Sequence, residues 1–350
     1  MKTVLITGAA GGIGTRLRSL LKGVYPRLIL SDREPAANLG ADEEFIQADL
    51  SDMAQVTALL DGVDGVIHLG GRSIEDEWEV IHAANIVGCH NLFEAARLNG
   101  TKRVVFASSN HAIGFYPRHR RITVDDKVRP DSRYGVSKAF GEALGSFYAE
   151  KFGLGVLSIR IGNIDDYPVD ERRLSIWVSP RDLVQLIRIG LEHPDLRYQI
   201  VWGASDNARA WWDNEPAYRL GYRPEDRAED HRDRALAAEA ERTPNAVADY
   251  FQGGDFCAID FDGPHPDRLP PTARIPCWYA WPQAATWAGE SATPHRWSPS
   301  PALLRQCPMA SASRLEPPYW ASAWMMWRIS PASIARSGPT VWICYKLRIP

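Results

Sequence analysis

No cysteine pattern runs through this sequence. Its five cysteines, Cys89, Cys257, Cys277, Cys307 and Cys344, are odd in number and never fall at a C-x-x-C spacing. Neither a disulfide framework nor a zinc site is expected, and no metal is assigned. Long apolar runs are missing too. The apolar stretch before Gly8 is too short for a secretory signal, and nothing approaches the ~18 apolar residues of a membrane span. A cytoplasmic protein without membrane contact is the expectation. Nor does one sign of charge dominate: 40 basic and 43 acidic residues leave a net charge of −3. That excludes a general basic field for nucleic acid, and a small molecule becomes the expected partner. A hydrophobic content of 45% with 24% charged residues is the balance of a globular protein.

Regularity is what the last quarter lacks. Residues 264–350 hold 15 of the 25 prolines and 8 of the 13 tryptophans. They carry nine basic and three acidic groups, against 31 and 40 in residues 1–263. Prolines interrupt every candidate helix or central strand, and no period of 3.6 or 2 is sustained. Disordered linkers are poor in aromatics, so this irregular tail is no ordinary linker. Its composition reads as a wrong-frame translation of a GC-rich gene. A partner-binding tail and a small irregular domain are the alternatives, and no function is placed there.

Residues 1–260 are different. β-branched runs alternate with helical patterns, the signature of a parallel sheet covered by helices. Strands are expected at 3–7, 27–31, 45–48, 65–69, 103–108, 155–161 and 198–202. Helices are expected at 13–21, 52–60, 75–99, 132–152 and 181–192. The fold class is α/β, a doubly wound Rossmann fold, with a small C-terminal substrate lobe drawn mainly from 163–180 and 203–260. Ligands of such sheets lie beyond the carboxyl ends of the strands, and the informative residues fall there.

Gly8, Gly11 and Gly14, with Gly12 and Ile13 between, form a G-x-x-G-x-x-G turn from the first strand into the first helix. Side chains there would keep a pyrophosphate from the backbone, and the helix N-terminus offers N–H groups and a positive dipole end. Asp32 closes the second strand, eighteen residues after Gly14. Its carboxylate suits the adenosine ribose hydroxyls and repels a 2′-phosphate, so NAD is favoured over NADP. Asp49 and Leu50, after the third strand, are placed to meet the adenine.

Tyr134 and Lys138 stand four residues apart, one helical turn, on one face. A free tyrosine titrates near ~10. A neighbouring ammonium and the positive nicotinamide would both favour the phenolate and make it a usable base. Ser108 and Ser109, at the end of the fifth strand, supply a hydroxyl to hold the reacting oxygen.

Glycine loop, acidic strand end, serine and Y-x-x-x-K, in this order, resemble the extended short-chain dehydrogenase/reductase (NAD-dependent epimerase/dehydratase) superfamily across nearly all of residues 1–255. The resemblance implies Ser109 as catalytic serine, Tyr134 as base and Lys138 as its helper and a ribose ligand. It also implies that Leu69, Gly70 and Gly71 run along the cofactor, with Asn85 in the helix that follows. Within the superfamily the chain is most similar to uronate dehydrogenases. The shared stretches include His68-Leu69-Gly70-Gly71 with Ser73, Ser108-Ser109-Asn110-His111, Arg172-Arg173-Leu174-Ser175-Ile176-Trp177, Trp211-Trp212-Asp213-Asn214 and Phe251-Gln252-Gly253-Gly254. Those enzymes oxidise the C1 hydroxyl of galacturonate or glucuronate with NAD to an aldarolactone. By the same resemblance Ser73, Ser109, Asn110, His111 and Arg172 would contact the sugar acid, and an arginine fork suits a carboxylate. Asn163 stands where that group has a substrate-contacting serine.

Two rival functions use the same motifs. A nucleotide-sugar epimerase or dehydratase would share the serine, tyrosine and lysine but needs a larger C-terminal lobe. A non-catalytic NAD-binding regulatory protein has no need of both tyrosine and lysine. The resemblance further implies a homo-oligomer packed through the helical segments 75–99 and 132–152.

Overall fold

Val4, Leu5 and Ile6 are all fully buried, yet they face two different cores: Val4 and Ile6 one, Leu5 the other. The same alternation runs through Val66 and Ile67, and through Val104, Val105, Phe106 and Ala107. Strands with apolar residues on both faces belong inside a sheet covered on both sides. That is the architecture of the computed structural model, which describes residues 1–41, 43–264 and 266. The tail reading for 264–350 therefore lies outside the described residues, apart from Pro264 and Pro266.

In chain order the elements are β1 (Thr3–Thr7), α1 (Gly12–Leu21), β2 (Arg27–Asp32), β3 (Glu44–Gln47), α2 (Met53–Leu59), β4 (Gly65–His68) and α3 (Trp78–Ile81). A π-helical turn, His82–Val87, leads into α4 (Gly88–Leu98), followed by β5 (Arg103–Ser109), α5 (Arg133–Phe152), β6 (Gly155–Ile161) and β7 (Asn163–Ile164). Then come α6 (Arg173–Ile176), β8 (Trp177–Val178), α7 (Pro180–Glu192), β9 (Tyr198–Gly203), α8 (Glu215–Arg219), α9 (Arg232–Ala240), α10 (Ala246–Tyr250) and α11 (Asp255–Ala258).

Seven parallel strands form the sheet in the order β3-β2-β1-β4-β5-β6-β9. Leu17 and Leu21 of α1 and Leu183, Leu186, Ile187 and Leu191 of α7 fill one face. Val56 and Leu59 of α2, Leu92 and Phe93 of α4 and Tyr148 of α5 fill the other. The expected strands and main helices are present, with ends moved by a residue or two. Asp52 and Ser132, expected inside helices, are N-caps whose side chains accept backbone N–H groups. The expected helical region over 75–99 is present but is not a single α-helix. It begins at Trp78 and is interrupted by the π-helical turn; such turns insert a residue that a 3.6-residue period does not reveal.

A two-stranded pair, β7 and β8, and the short helices beyond β9 build the lobe over the carboxyl ends of the strands. Its packing is aromatic: Trp202 and Trp212 stack with ring centroids 4.4 Å apart. Trp212 is thus a core residue, in keeping with a packing role for the Trp211-Trp212 pair, and its indole N–H donates to Gln252 Oε1 at 2.9 Å.

Candidate active site

The glycine turn is shaped from within. Gly8 adopts φ +71°, where side chains are strained, and a Cβ there would come 2.7 Å from the Gly70 nitrogen. A Cβ on Gly14 would come 2.5 Å from the Gly8 carbonyl and 2.6 Å from Ala9 Cα. Gly11 and Gly12 are exposed: a Cβ on Gly11 would meet the Gly8 carbonyl at 3.3 Å, and one on Gly12 only Arg16 Nη1 at 3.7 Å. The N-terminus of α1 has no side-chain cap and no acidic residue in its first turn. An open glycine face on an uncapped helix start is a fit for a pyrophosphate. Gly14→Ala should therefore displace the turn and weaken NAD binding by about 5- to 150-fold, equivalent to the ~1–3 kcal/mol of overpacking. Calorimetric titration with NAD measures it, and unaltered affinity would show that the turn tolerates the methyl group.

Asp32 sits at the mouth of this turn. One carboxylate oxygen accepts the Ala10 N–H at 2.9 Å and the other the Arg33 N–H at 2.7 Å, which fixes its plane and leaves further lone pairs for hydroxyl donors. Asp49 accepts both the N–H and hydroxyl of Ser51, whose hydrogen bonds hold its carboxyl below the usual range. Leu50 packs beneath Gly70, where a Cβ would meet Leu50 Cδ1 at 2.5 Å. Leu69, Gly70 and Gly71 continue from β4, anchored by the Thr7 hydroxyl, which meets His68 Nδ1 at 2.8 Å and the Gly70 N–H at 3.3 Å. Burial holds His68 neutral, its pKa down at about 3.

Asn85 lies in the π-helical turn, behind this segment. Its amide brackets Arg72, accepting the N–H at 2.7 Å and donating to the carbonyl at 2.9 Å, and it donates to Ser137 Oγ at 2.9 Å. It shapes the segment after β4 from the rear and ties it to the helix that carries Tyr134.

Ser108 and Ser109 divide at the end of β5. Ser108 is buried and donates to Glu142 Oε1 at 2.6 Å, so its hydroxyl belongs to the framework. Ser109 faces Tyr134 and lowers its pKa by hydrogen bonding, but burial dominates and the nearby Asp131 charge adds to it, bringing the phenol up to about 12. The expectation that Lys138 depresses this pKa is not met in the protein's own field. Lys138 donates to the Ala107 carbonyl at 2.8 Å and lies 5.4 Å from the Tyr134 ring centroid. Its own pKa is pulled down to about 8 by desolvation. Four-residue spacing put the two side chains on one face, as read, but burial outweighs their mutual effect.

Asn110 and His111 form the turn after Ser109. With its amide nitrogen toward the carbonyls of Ile161 (3.2 Å) and Gly162 (3.1 Å), Asn110 offers its oxygen to Arg172 Nη2 at 3.2 Å. Arg172 also donates through Nε to the Gln252 carbonyl at 2.9 Å. The acidic neighbours that might have paired with it are engaged elsewhere: Asp170 with Arg173, Glu171 with Arg209. Desolvation, then Arg173 and Arg118, pull the Arg172 pKa down to about 10. A half-buried guanidinium without a carboxylate among the described residues is poised for an anion. Asn163 stands on β7 with a buried, unpartnered Oδ1, while Ser73 is exposed on the loop after Gly71.

Several contributors carry no motif. Glu75 accepts the backbone N–H groups of Arg133 (3.1 Å) and Tyr134 (2.9 Å), tying the Ser73 loop to the start of α5. Gln252, fully buried, clamps the segment before α11 through Trp212, Pro117 and Arg120. Phe256 stacks on His111 at 3.9 Å between centroids. Gln252 lies in the shared Phe251-Gln252-Gly253-Gly254 stretch, whereas for Glu75 and Phe256 the only sequence signal was a polar or aromatic residue in an otherwise irregular stretch.

A doubly wound sheet, an open glycine turn with an acidic strand end, and a Ser–Tyr–Lys group beside it define an oxidoreductase of the dinucleotide-binding, short-chain type. The model of the NAD dependent epimerase/dehydratase family matches residues 4–164. A uronate dehydrogenase from Pseudomonas putida is 48% identical over 256 residues, 72% of this chain and 94% of that protein. One from Agrobacterium fabrum is 44% identical, over 73% of this chain and 97% of the relative. Among solved structures, a glucuronic acid dehydrogenase from Chromohalobacter salexigens superposes with a TM-score of 0.71 at 43% identity, covering 76% of this chain and 99% of its own. A mutant uronate dehydrogenase from Agrobacterium tumefaciens complexed with NAD gives 0.71 at 44%, covering 74% and 97%. The chain belongs to the NAD dependent epimerase/dehydratase family.

Proposed function

We propose that this protein is an NAD-dependent dehydrogenase that oxidises the C1 hydroxyl of a uronate such as galacturonate or glucuronate, giving an aldarolactone. The observation that carries the substrate class is Arg172. It is desolvated, lacks a carboxylate partner among the described residues, and is braced by Gln252 and by Asn110, the residue that follows Ser109. Its fork suits a sugar carboxylate. The names of the relatives, uronate and glucuronic acid dehydrogenases, point the same way.

Gly8, Gly11, Gly12, Ile13 and Gly14 hold the pyrophosphate, Asp32 the adenosine ribose, and Asp49 and Leu50 the adenine side. Leu69, Gly70 and Gly71 line the cofactor, with Asn85 supporting them. NAD held there supplies the hydride acceptor and a positive nicotinamide that favours the phenolate. The protein does the rest. Tyr134 Oη takes the proton of the C1 hydroxyl, and Ser109 Oγ holds that oxygen in line. Lys138 contributes its ammonium and a ribose contact. Arg172, Asn110, His111, Asn163 and Ser73 grip the remaining polar groups of the sugar acid.

We assign this activity to residues 1–260, with the substrate lobe from 163–180 and 203–260. Among the described residues no helix is long and apolar enough to cross a membrane. Exposed Trp78, Val80, Val136 and Phe147 on α3 and α5 favour a homo-oligomeric contact through those helices.

The test is NADH formation by the full chain with galacturonate and glucuronate, compared with Arg172→Ala. Removing one partner of a desolvated charge pair costs about 2–4 kcal/mol, so KM should rise roughly 30- to 1,000-fold with a smaller change in kcat. An unchanged KM would take the carboxylate away from Arg172. No turnover of either uronate by the wild-type chain would refute the substrate class.

A further inference from the structure

Asp131 precedes the N-cap of α5, and the fold makes unusual room for it. Its side chain is wholly buried. A Cβ on Gly114 or on Gly253 would run into its carboxylate, and one on Gly135 would come 3.2 Å from Oδ1. Three separate backbone segments thus leave out a side chain around one carboxylate. Burying an anion is costly unless it is hydrogen-bonded and paired, yet no lysine or arginine bonds it among the described residues. Oδ1 accepts the Ser132 hydroxyl at 2.7 Å, and Oδ2 faces the Cys257 thiol at 3.8 Å. The remaining partner is His111, whose Nδ1 lies 2.8 Å from Oδ2. The His111 ring is also fixed by its stack on Phe256 and meets the Tyr134 ring edge-on, 5.7 Å between centroids. Nε2 has no protein partner among the described residues.

A carboxylate accepts and does not donate, so the Nδ1 facing it carries a proton, and the Nδ1–H tautomer of the imidazole leaves its lone pair on Nε2. We propose that Asp131 is a positioning residue for substrate recognition: it holds His111 as the Nδ1–H tautomer, braced on Phe256, so that Nε2 accepts a hydrogen bond from a ring hydroxyl of the sugar. The recognition half of this inference rests on the sugar-acid reading above; the tautomer half does not. A carboxylate that orients a histidine in this way is known from metal sites, where its loss weakens binding by about 10- to 100-fold.

The experiment combines a spectrum with a mutant cycle. In the full-length wild-type protein labelled with 15N-histidine, His111 should show a protonated Nδ1 and a bare Nε2. The reverse tautomer, or a ring protonated on both nitrogens, would overturn the proposal without any variant having to fold. Asp131→Asn should raise KM for the uronate by about 10- to 100-fold, leave the Kd for NAD unchanged, and give His111 a mixture of tautomers. In a His111→Ala background the same substitution should leave KM where it is. An equal KM rise in both backgrounds would mean that Asp131 does not act through His111. If the wild type turns over no uronate, the substrate reading fails at that step, and the spectrum still decides the tautomer.

Discussion

Tyr134→Phe is expected to lower kcat by about 10²–10⁴-fold, the range that general acid–base catalysis contributes, with NAD affinity unchanged. The substitution removes one oxygen and leaves the ring edge-on to His111 and tilted against Phe256. The pH dependence follows from the field around that oxygen. Burial and Asp131 bring the Tyr134 pKa up to about 12, so its phenolate fraction increases with pH across the whole working range. Lys138, drawn down to about 8, is charged below that pH and loses its ammonium above it. The rate of uronate oxidation should therefore climb between pH 6 and 8 and flatten once Lys138 is neutral. Any residual rate of the phenylalanine variant should lack the climb. A pH–rate profile of both proteins measures this, and a variant that keeps the wild-type slope would move the base elsewhere.

The second large effect is on stability. Arg160 and Glu142 are almost completely buried and pair through two 2.8 Å bonds, Nε to Oε1 and Nη2 to Oε2. Ser108 completes the carboxylate, and the guanidinium lies over Trp202, 5.2 Å from the ring centroid. Strand register puts Ser108 beside Arg160, so this one pair bolts α5 to both β5 and β6. Arg160→Met would leave Glu142 as an unpaired buried anion and should lower the unfolding free energy by about 3–5 kcal/mol. Adding Glu142→Leu should recover much of that loss, because replacing a whole buried pair by apolar groups is often neutral. Urea denaturation of the single and double variants measures both. Equal instability in the two would show that packing around Trp202, and not the stranded charge, sets the penalty.

These residues show what the chain discloses locally. The glycine turn, Asp32 and the Tyr134–Lys138 pair were legible because each is a short-range pattern set by backbone geometry. The strand positions were legible because buried parallel strands read as β-branched runs between helices. Asp131 with His111, Glu75 with Arg133 at the start of α5, and Gln252 with Arg172 join residues 20, 58 and 80 positions apart. Contacts of that range leave no periodic trace. Glu142 was visible only as an acidic residue one turn beyond Lys138, and nothing nearby named its partner. The burial that raises the Tyr134 pKa in the protein's own field was not legible for a related reason: spacing shows which side chains are neighbours, but burial is a property of the finished fold. The π-helical turn at Asn85 escaped because one inserted residue shifts the helical phase without changing composition.

The pocket around Asp131 also bears on how the protein is made. Two of its walls, Gly114 and Gly135, are synthesised early, and the whole seven-stranded sheet is complete once Gly203 has emerged. Domains commonly fold from the N-terminal side as they leave the ribosome. The third wall, Gly253, and the Phe256 brace arrive about fifty residues later, a few seconds at ordinary elongation rates. A nascent chain can therefore have its glycine turn and Tyr134 in place while His111 still lacks its Phe256 brace. Dinucleotide binding would come first in the life of the molecule, and discrimination among sugars last.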